Sequence, residues 1–225
     1  MTRRPVLIGS VALVALAASL AVLPAAGAAR AVAHPTDAEI ARQGLLRRSD
    51  FSSAWKQRPH HDAKPSGIAE CKDTERARAS GKRYRAQSPD FSRGGTTYAQ
   101  NSVFVFPKET GAVSFLAPFE DASAGTCFRK GTQRALRKVS GATVDIERLD
   151  LSSAMQNGLI DDVVGYGIVA TVPQRPQPAQ LYVVVIAVRI GRSVSAFTIQ
   201  SPDQVLPETD TLVDAALTRL RKALT

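Results

Sequence analysis

Apolar residues are densest in Gln180–Gln200, QLYVVVIAVRIGRSVSAFTIQ. Successive strand residues point to opposite faces. On that spacing Tyr182, Val184, Ile186, Val188 and Ile190 share one face, and Leu181, Val183, Val185 and Ala187 share the other. A strand apolar on both sides has to be covered twice, which places it in the interior. Gly191-Arg192 predicts a hairpin turn with glycine where positive φ is needed. The returning strand, Val194 to Ile199, is more polar and is expected to turn one face toward water.

Other elements follow from the same reading. Thr36 with Glu39 forms a capping-box pattern that opens a helix running to about Arg48, with Ala38, Ala41 and Leu45 on one stripe. Tyr84–Phe91 and Thr96–Phe106 read as strands joined around Arg93-Gly94-Gly95, with Phe104 and Phe106 opposite Val103 and Val105. Ala112, Phe115, Leu116 and Phe119 recur at helical spacing and predict an amphipathic helix, which Pro118 could kink. Gly125 interrupts, and a second helical stretch leads from Cys127 to about Val139. Ala142–Leu151 reads as a strand with a bulge near Arg148, where the apolar phase shifts between Ile146 and Leu149. Val163–Val172 is another strand, whose Gly165 and Gly167 leave room for a close neighbour. A last helix begins near Pro207 and buries Val213, Ala216, Leu217, Leu220 and Leu224. The fold class expected is α+β: a twisted antiparallel β-sheet of about six strands with helices packed on one face, and one disulfide.

The first residues read as a secretory signal. Arg3 and Arg4 precede an apolar run, Val6–Val22, and Ala26-Gly27-Ala28 and Ala31-Val32-Ala33 both suit signal-peptidase cleavage. Residues 1–33 are thus expected to be removed after Ala28 or Ala33, leaving 34–225 as a single sensor-like domain that is secreted. The alternative is an uncleaved membrane anchor, but the apolar core is short for a span. No cysteine lies near the cleavage sites, which excludes a bacterial lipid anchor. Loss of Arg3, Arg4 and Arg30 leaves 26 basic against 20 acidic side chains, net +6. A moderately basic surface favours anionic partners. Cys71 and Cys127 are the only cysteines. In an oxidising compartment they are expected to form one disulfide, with two buried free thiols as the alternative. Closing that loop would remove about 4 kcal/mol of chain entropy from the unfolded state.

Candidate chemistry is sparse. No Gly-x-Ser-x-Gly elbow and no phosphate-cradling glycine loop is present. His60-His61-Asp62 sits in a stretch marked as a solvated loop by Pro59, Pro65 and Gly67. Neighbours on an extended chain point apart and rarely ligate one ion, so no metal and no cofactor is expected. The chain reads as no enzyme. A bond between Cys71 and Cys127 would draw two basic clusters to one side: Lys72, Arg76 and Arg78 with Arg129, Lys130, Arg134 and Arg137. Together they could meet an anionic polymer or partner, or be ordinary solvated helix faces. Nucleic acid is not expected, since these basic residues lack interleaved aromatics.

The order of Leu45-Leu46, Asp50-Phe51, Trp55, Cys71, Ser102–Phe106, Cys127, Arg189-x-Gly191-x-x-Val194 and a closing Leu-rich helix resembles the exported sensor-type domains of actinobacteria. Their best-known member is the extracellular domain of PknH-type receptor Ser/Thr kinases, with stand-alone secreted relatives. The resemblance implies an antiparallel sheet with flanking helices and a cleft for an unidentified extracellular ligand, without catalysis. Anionic glycan or lipid are candidate ligands. Trp55, Tyr166, Tyr182 and Arg189 are the candidates to line the cleft, with core and sheet-edge packing as the competing reading. Here one cysteine pair stands where the kinase-linked domains carry two, and no kinase follows.

Overall fold

Eight strands form one antiparallel sheet: β1 (Lys56–Arg58), β2 (Tyr84–Gln87), β3 (Asp90–Arg93), β4 (Thr97–Val105), β5 (Thr143–Arg148), β6 (Asp162–Val172), β7 (Ala179–Ile190) and β8 (Ser193–Ser201). The computed structural model describes residues 34–60, 81–137, 139–151, 158, 160–173, 177–202 and 208–225. These lie in one unit, His34–Thr225. The strand order is β1-β3-β4-β8-β7-β6-β5, with β2 beside β3 on the same edge of β4. Two strands more than expected arise at this edge. Short β1 pairs with β3. The predicted Tyr84–Phe91 strand splits at Ser88-Pro89, where three residues lie between Gln87 and Phe91 against two on β4 between Ser102 and Ala99. This is a β-bulge, and it accommodates a proline that has no N–H to give a ladder.

Among the described residues the helices are α1 (Asp37–Gln43), α2 (Glu109–Glu120), α3 (Ala122–Ala135) and α4 (Thr209–Leu224), with a 3₁₀ turn at Arg48–Asp50. The capping box forms as predicted: Glu39 N–H donates to Thr36 Oγ1 at 3.3 Å, and Thr36 N–H donates to Glu39 Oε2 at 2.7 Å. That Thr36 N–H bond, and then the Thr36 hydroxyl donating to Glu39 Oε2 at 2.8 Å, hold the Glu39 carboxyl below its usual range. α1 stops at Gly44, short of Arg48. A Cβ on Gly44 would approach Val103 and Leu220 at 3.1 Å, so the chain passes too close to the sheet and α4 for a longer helix to continue.

The helices cover both faces of the sheet, not one. On the first face, α1 and α4 pack Ile40, Ala41, Leu212, Ala216, Leu217 and Leu220 over Val103, Val105, Ile186, Val188, Phe197 and Ile199. On the second, α2 and α3 pack Ala112, Phe115, Leu116, Ala124 and Phe128 over Phe106, Val164, Tyr166, Ala187 and Val194. The opposed Val103/Val105 and Phe104/Phe106 pairs on β4 are where these two cores separate.

Three local expectations are corrected. α3 begins at the Asp121 cap and runs through Gly125 without interruption; Gly125 faces the Tyr166 ring of β6, where a Cβ would make ordinary contact at 3.5 Å. No bulge occurs near Arg148: the β5–β6 register is constant, and Leu149 N–H continues the ladder to Gly165 O at 3.0 Å. The apolar phase shifts because Ile146 serves the second face while Leu149 and Leu151 fill the space above Gly165 on the first. Finally, β7 lies between β6 and β8, but its first half is not covered twice: Leu181 to Val185 are only partly buried.

The expected disulfide involves Cys71, which lies outside the described residues. Cys127 lies on α3 and is not free. No described helix is long and apolar enough to cross a membrane.

Candidate functional site

The registers of β4, β8, β7 and β6 set cross-strand rows on the second face. One row is Phe104–Val194–Arg189–Asp162, and the next is Ser102–Ala196–Ala187–Val164. Then come Gln100–Thr198–Val185–Tyr166 and Tyr98–Gln200–Val183–Ile168. Directly opposite residues point to the same side, so each row is a line of neighbouring side chains. α2 covers the first two rows at Phe104, Val194, Ala187 and Val164, with its Phe115 ring 4.7 Å from that of Phe104, and the Phe128 ring of α3 meets the Tyr166 ring edge-on at 4.9 Å. Beyond them Gln100, Thr198, Val185, Tyr98, Gln200 and Val183 stay half-buried across the three central strands. This open stretch is a floor with α2 at one end and α3 along one side.

On its other side stands a polar chain. Asp90 Oδ1 lies 2.8 Å from His60 Nδ1, and Gln87 Nε2 lies 3.0 Å from His60 Nε2. Burial first, then a hydrogen bond to Asp90, pushes the Tyr98 phenol far above its usual range, so Tyr98 stays neutral. His60 is therefore no solvated loop residue. His61 and Asp62 lie outside the described residues. The second ring nitrogen of His60 faces the Gln87 amide. Among the described residues no group of three or more His, Cys, Asp or Glu could hold a metal ion.

A charged cluster closes the α2 end. Arg189, 11 % exposed, donates to Glu109 Oε1 at 2.8 Å and lies 3.5 Å from Asp161. Arg148 donates to Glu120 O at 2.7 Å, and Tyr166 OH donates to Phe119 O at 2.6 Å. Burial and a shared hydrogen bond with Asp162 raise the Glu120 carboxyl above its usual range, against the pull of Arg148 and Arg189. These contacts fasten both ends of α2 to β5, β6 and β7.

The four cleft candidates do not converge. Trp55 is buried in the first-face core beside Phe51, with Arg93 stacked 5.1 Å over its ring. Tyr182 also points to the first face, where its hydroxyl donates to Gln180. Tyr166 and Arg189 lie on the second face, Tyr166 as a buried border of the floor and Arg189 inside the charged cluster. The floor residues Gln100, Thr198, Val183 and Val185 carried no motif. Their only sequence trace is the alternation of β4 and β8, visible as a site only once the partner strands are known. Of the basic candidates, Arg129, Lys130, Arg134 and Arg137 are exposed on and just beyond α3, while Lys72, Arg76 and Arg78 lie outside the described residues.

No protein-family model matches the chain, and no curated protein matches it in sequence. Among solved structures the chain is similar to the extracellular domain of PknH from Mycobacterium tuberculosis, with a TM-score of 0.50 and 11 % identity over 84 % of this chain and 100 % of that one. The fold is PknH-like. At this identity the likeness covers the arrangement of sheet and helices and leaves the floor's chemistry to be argued from this chain's own side chains.

Proposed function

We propose that the chain is a non-catalytic, exported sensor-like protein that takes an extracellular ligand on the open floor of its second face. The observation that carries this is the floor itself. Gln100, Ser102 and Thr198 present an amide and two hydroxyls with no protein partner among the described residues, beside Val183 and Val185. A few polar groups set among apolar ones, walled by helices, is the usual make-up of a small-ligand site. The PknH-like fold supports the sensor reading, and the leader-like first residues support export. Native mass spectrometry of the protein from its own culture supernatant tests it. A reproducible extra mass is expected on the wild type and should be absent from Val185→Arg, which fills the floor. A bare wild-type chain, or an adduct that survives Val185→Arg, overturns the reading.

A second reading rests on α3, which carries no acidic residue and exposes Arg129 and Lys130, with Arg137 just beyond. It makes the chain a basic adaptor for an anionic polymer or partner protein. Reversing charge at Lys130 and Arg137 should then abolish low-salt retention on anionic envelope material; unchanged retention removes this reading.

A further inference from the structure

The floor's chemistry narrows its ligand, given that the floor is the binding site proposed above. We infer that it binds a neutral, polyhydroxylated ligand, one or two sugar rings laid flat on β4, β8 and β7. At about 4.8 Å between strands and about 6.8 Å between rows, the exposed rows match roughly that footprint.

No side chain in Gln100–Thr198–Val185 or Gln200–Val183 ionises. The Gln100 amide and the Ser102 and Thr198 hydroxyls each both donate and accept, which suits hydroxyls whose own hydrogens can turn either way. Val183 and Val185 offer an apolar strip for the C–H face of a ring. Gln200 contributes less, because its amide already donates to Thr96 O at 3.1 Å.

The surrounding charges disfavour an anion here. Asp90 is on β3, beside β4, and its carboxylate meets His60 at the Gln100 side of the floor. Arg58 opposes Asp90 from β1, three strand spacings from β8, or about 14 Å, beyond the screening length in physiological salt. Arg189 is held by Glu109 and Asp161, and Arg83 and Arg85 lie 5.7 and 5.6 Å over the Phe104 ring at the Ser102 end. Lys56 is on β1 with Arg58, and the basic side chains of α3 stand toward β5, where Arg129 donates to Ile146 O. Among the described residues no cation lies in the rows around Thr198, so a carboxylate or phosphate there would lose water for little gain, whereas a neutral hydroxyl exchanges one hydrogen bond for another.

A glycan array tests this, carrying neutral oligosaccharides of glucose, galactose, mannose, arabinose and N-acetylglucosamine beside uronic-acid and phosphorylated counterparts. The secreted wild-type chain should bind neutral spots, equally at about 50 and about 500 mM NaCl. Thr198→Val and Gln100→Leu, near-isosteric and half-exposed, should each weaken binding about tenfold without changing the melting temperature. Binding confined to charged glycans, a steep loss with salt, or no glycan binding at all overturns the inference. Val185→Arg separates the two failures. If it removes the native ligand mass while no neutral glycan binds, the ligand class is wrong and the floor stands. If it leaves glycan binding intact, the floor itself is wrong.

Discussion

Asn101 is the buried polar residue whose removal should cost most. It lies on β4, is 2 % exposed, and points to the first face beneath the turn that follows α1. Its Oδ1 accepts from Leu46 N–H at 2.9 Å, and its Nδ2 donates to Gly44 O at 2.8 Å and Ser195 Oγ at 3.2 Å. Asn101→Leu keeps the volume, excludes water and leaves all three groups without their partner. At about 1 kcal/mol for each bond lost, and more for a buried group left unsatisfied, the loss should be about 3 kcal/mol. For a unit of this size that is a fall of about 6–12 °C in melting temperature. Asn101→Ala should lose less, because a water can enter and bridge Leu46 N–H to Gly44 O. Urea titration gives the energies, and hydrogen exchange at the Leu46 amide reports the local bond. A loss below about 1 kcal/mol for Asn101→Leu, with that amide still protected, would show that the staple does not hold the turn to the sheet.

Other consequences can be checked beside it. Arg219 grips Asp50, 6 % exposed, through both carboxylate oxygens at 2.7 and 2.8 Å, so Arg219→Met should cost about 2–4 kcal/mol by stranding that charge. The double variant with Asp50→Asn should recover part of the loss, and strictly additive single effects in a double-mutant cycle would refute the coupling. Because the folded-state Glu120 carboxyl is raised, its contribution is full below the ordinary carboxylate value and is lost as pH rises through the raised value. Glu120→Gln should therefore gain on wild type as melts move from acid to neutral pH, and a pH-independent difference contradicts this. Mass mapping of unreduced protein should show a linked Cys71–Cys127 peptide; alkylation of both cysteines without reductant would remove the crosslink.

Much of the element list is legible in the chain because it rests on local rules. The Thr36/Glu39 cap, the Gly191 turn and the Ala112–Phe115–Leu116 stripe each need only neighbours within a few residues. What is not local is not legible. An amphipathic stripe says that a helix packs on something, not on which side of a sheet, so α1 and α4 were grouped with α2 and α3. Leu149 looks out of phase until Gly165, sixteen residues along the chain, is found opposite it in the ladder of β5 with β6. The Asp90–His60–Gln87 chain joins three segments that only the β1–β3–β4 edge brings together.

The candidate floor was hidden for a further reason, one of length. β7 has 12 residues and at about 3.3 Å each runs about 40 Å, while 12-residue α2 runs about 18 Å and 16-residue α4 about 24 Å. No one of these helices can cover such a strand from end to end. The apolar pattern of β7 on both sides marks it as interior to the sheet, where β6 and β8 satisfy its backbone, and says nothing of how far the covering layer reaches. Arg189–Glu109 and Arg148–Glu120 fasten the two ends of α2 over the first rows, which leaves the far rows open by geometry. The residues there differ accordingly: Val183 and Val185 are kept by the strand's demand for β-branched side chains, while Gln100 and Thr198 share their face on β4 and β8, past the rows where α2 meets Phe104 and Val194. An apolar strand flanked by polar ones on the same exposed face is a surface that the fold does not need to be polar, which is why binding is the use we assign to it.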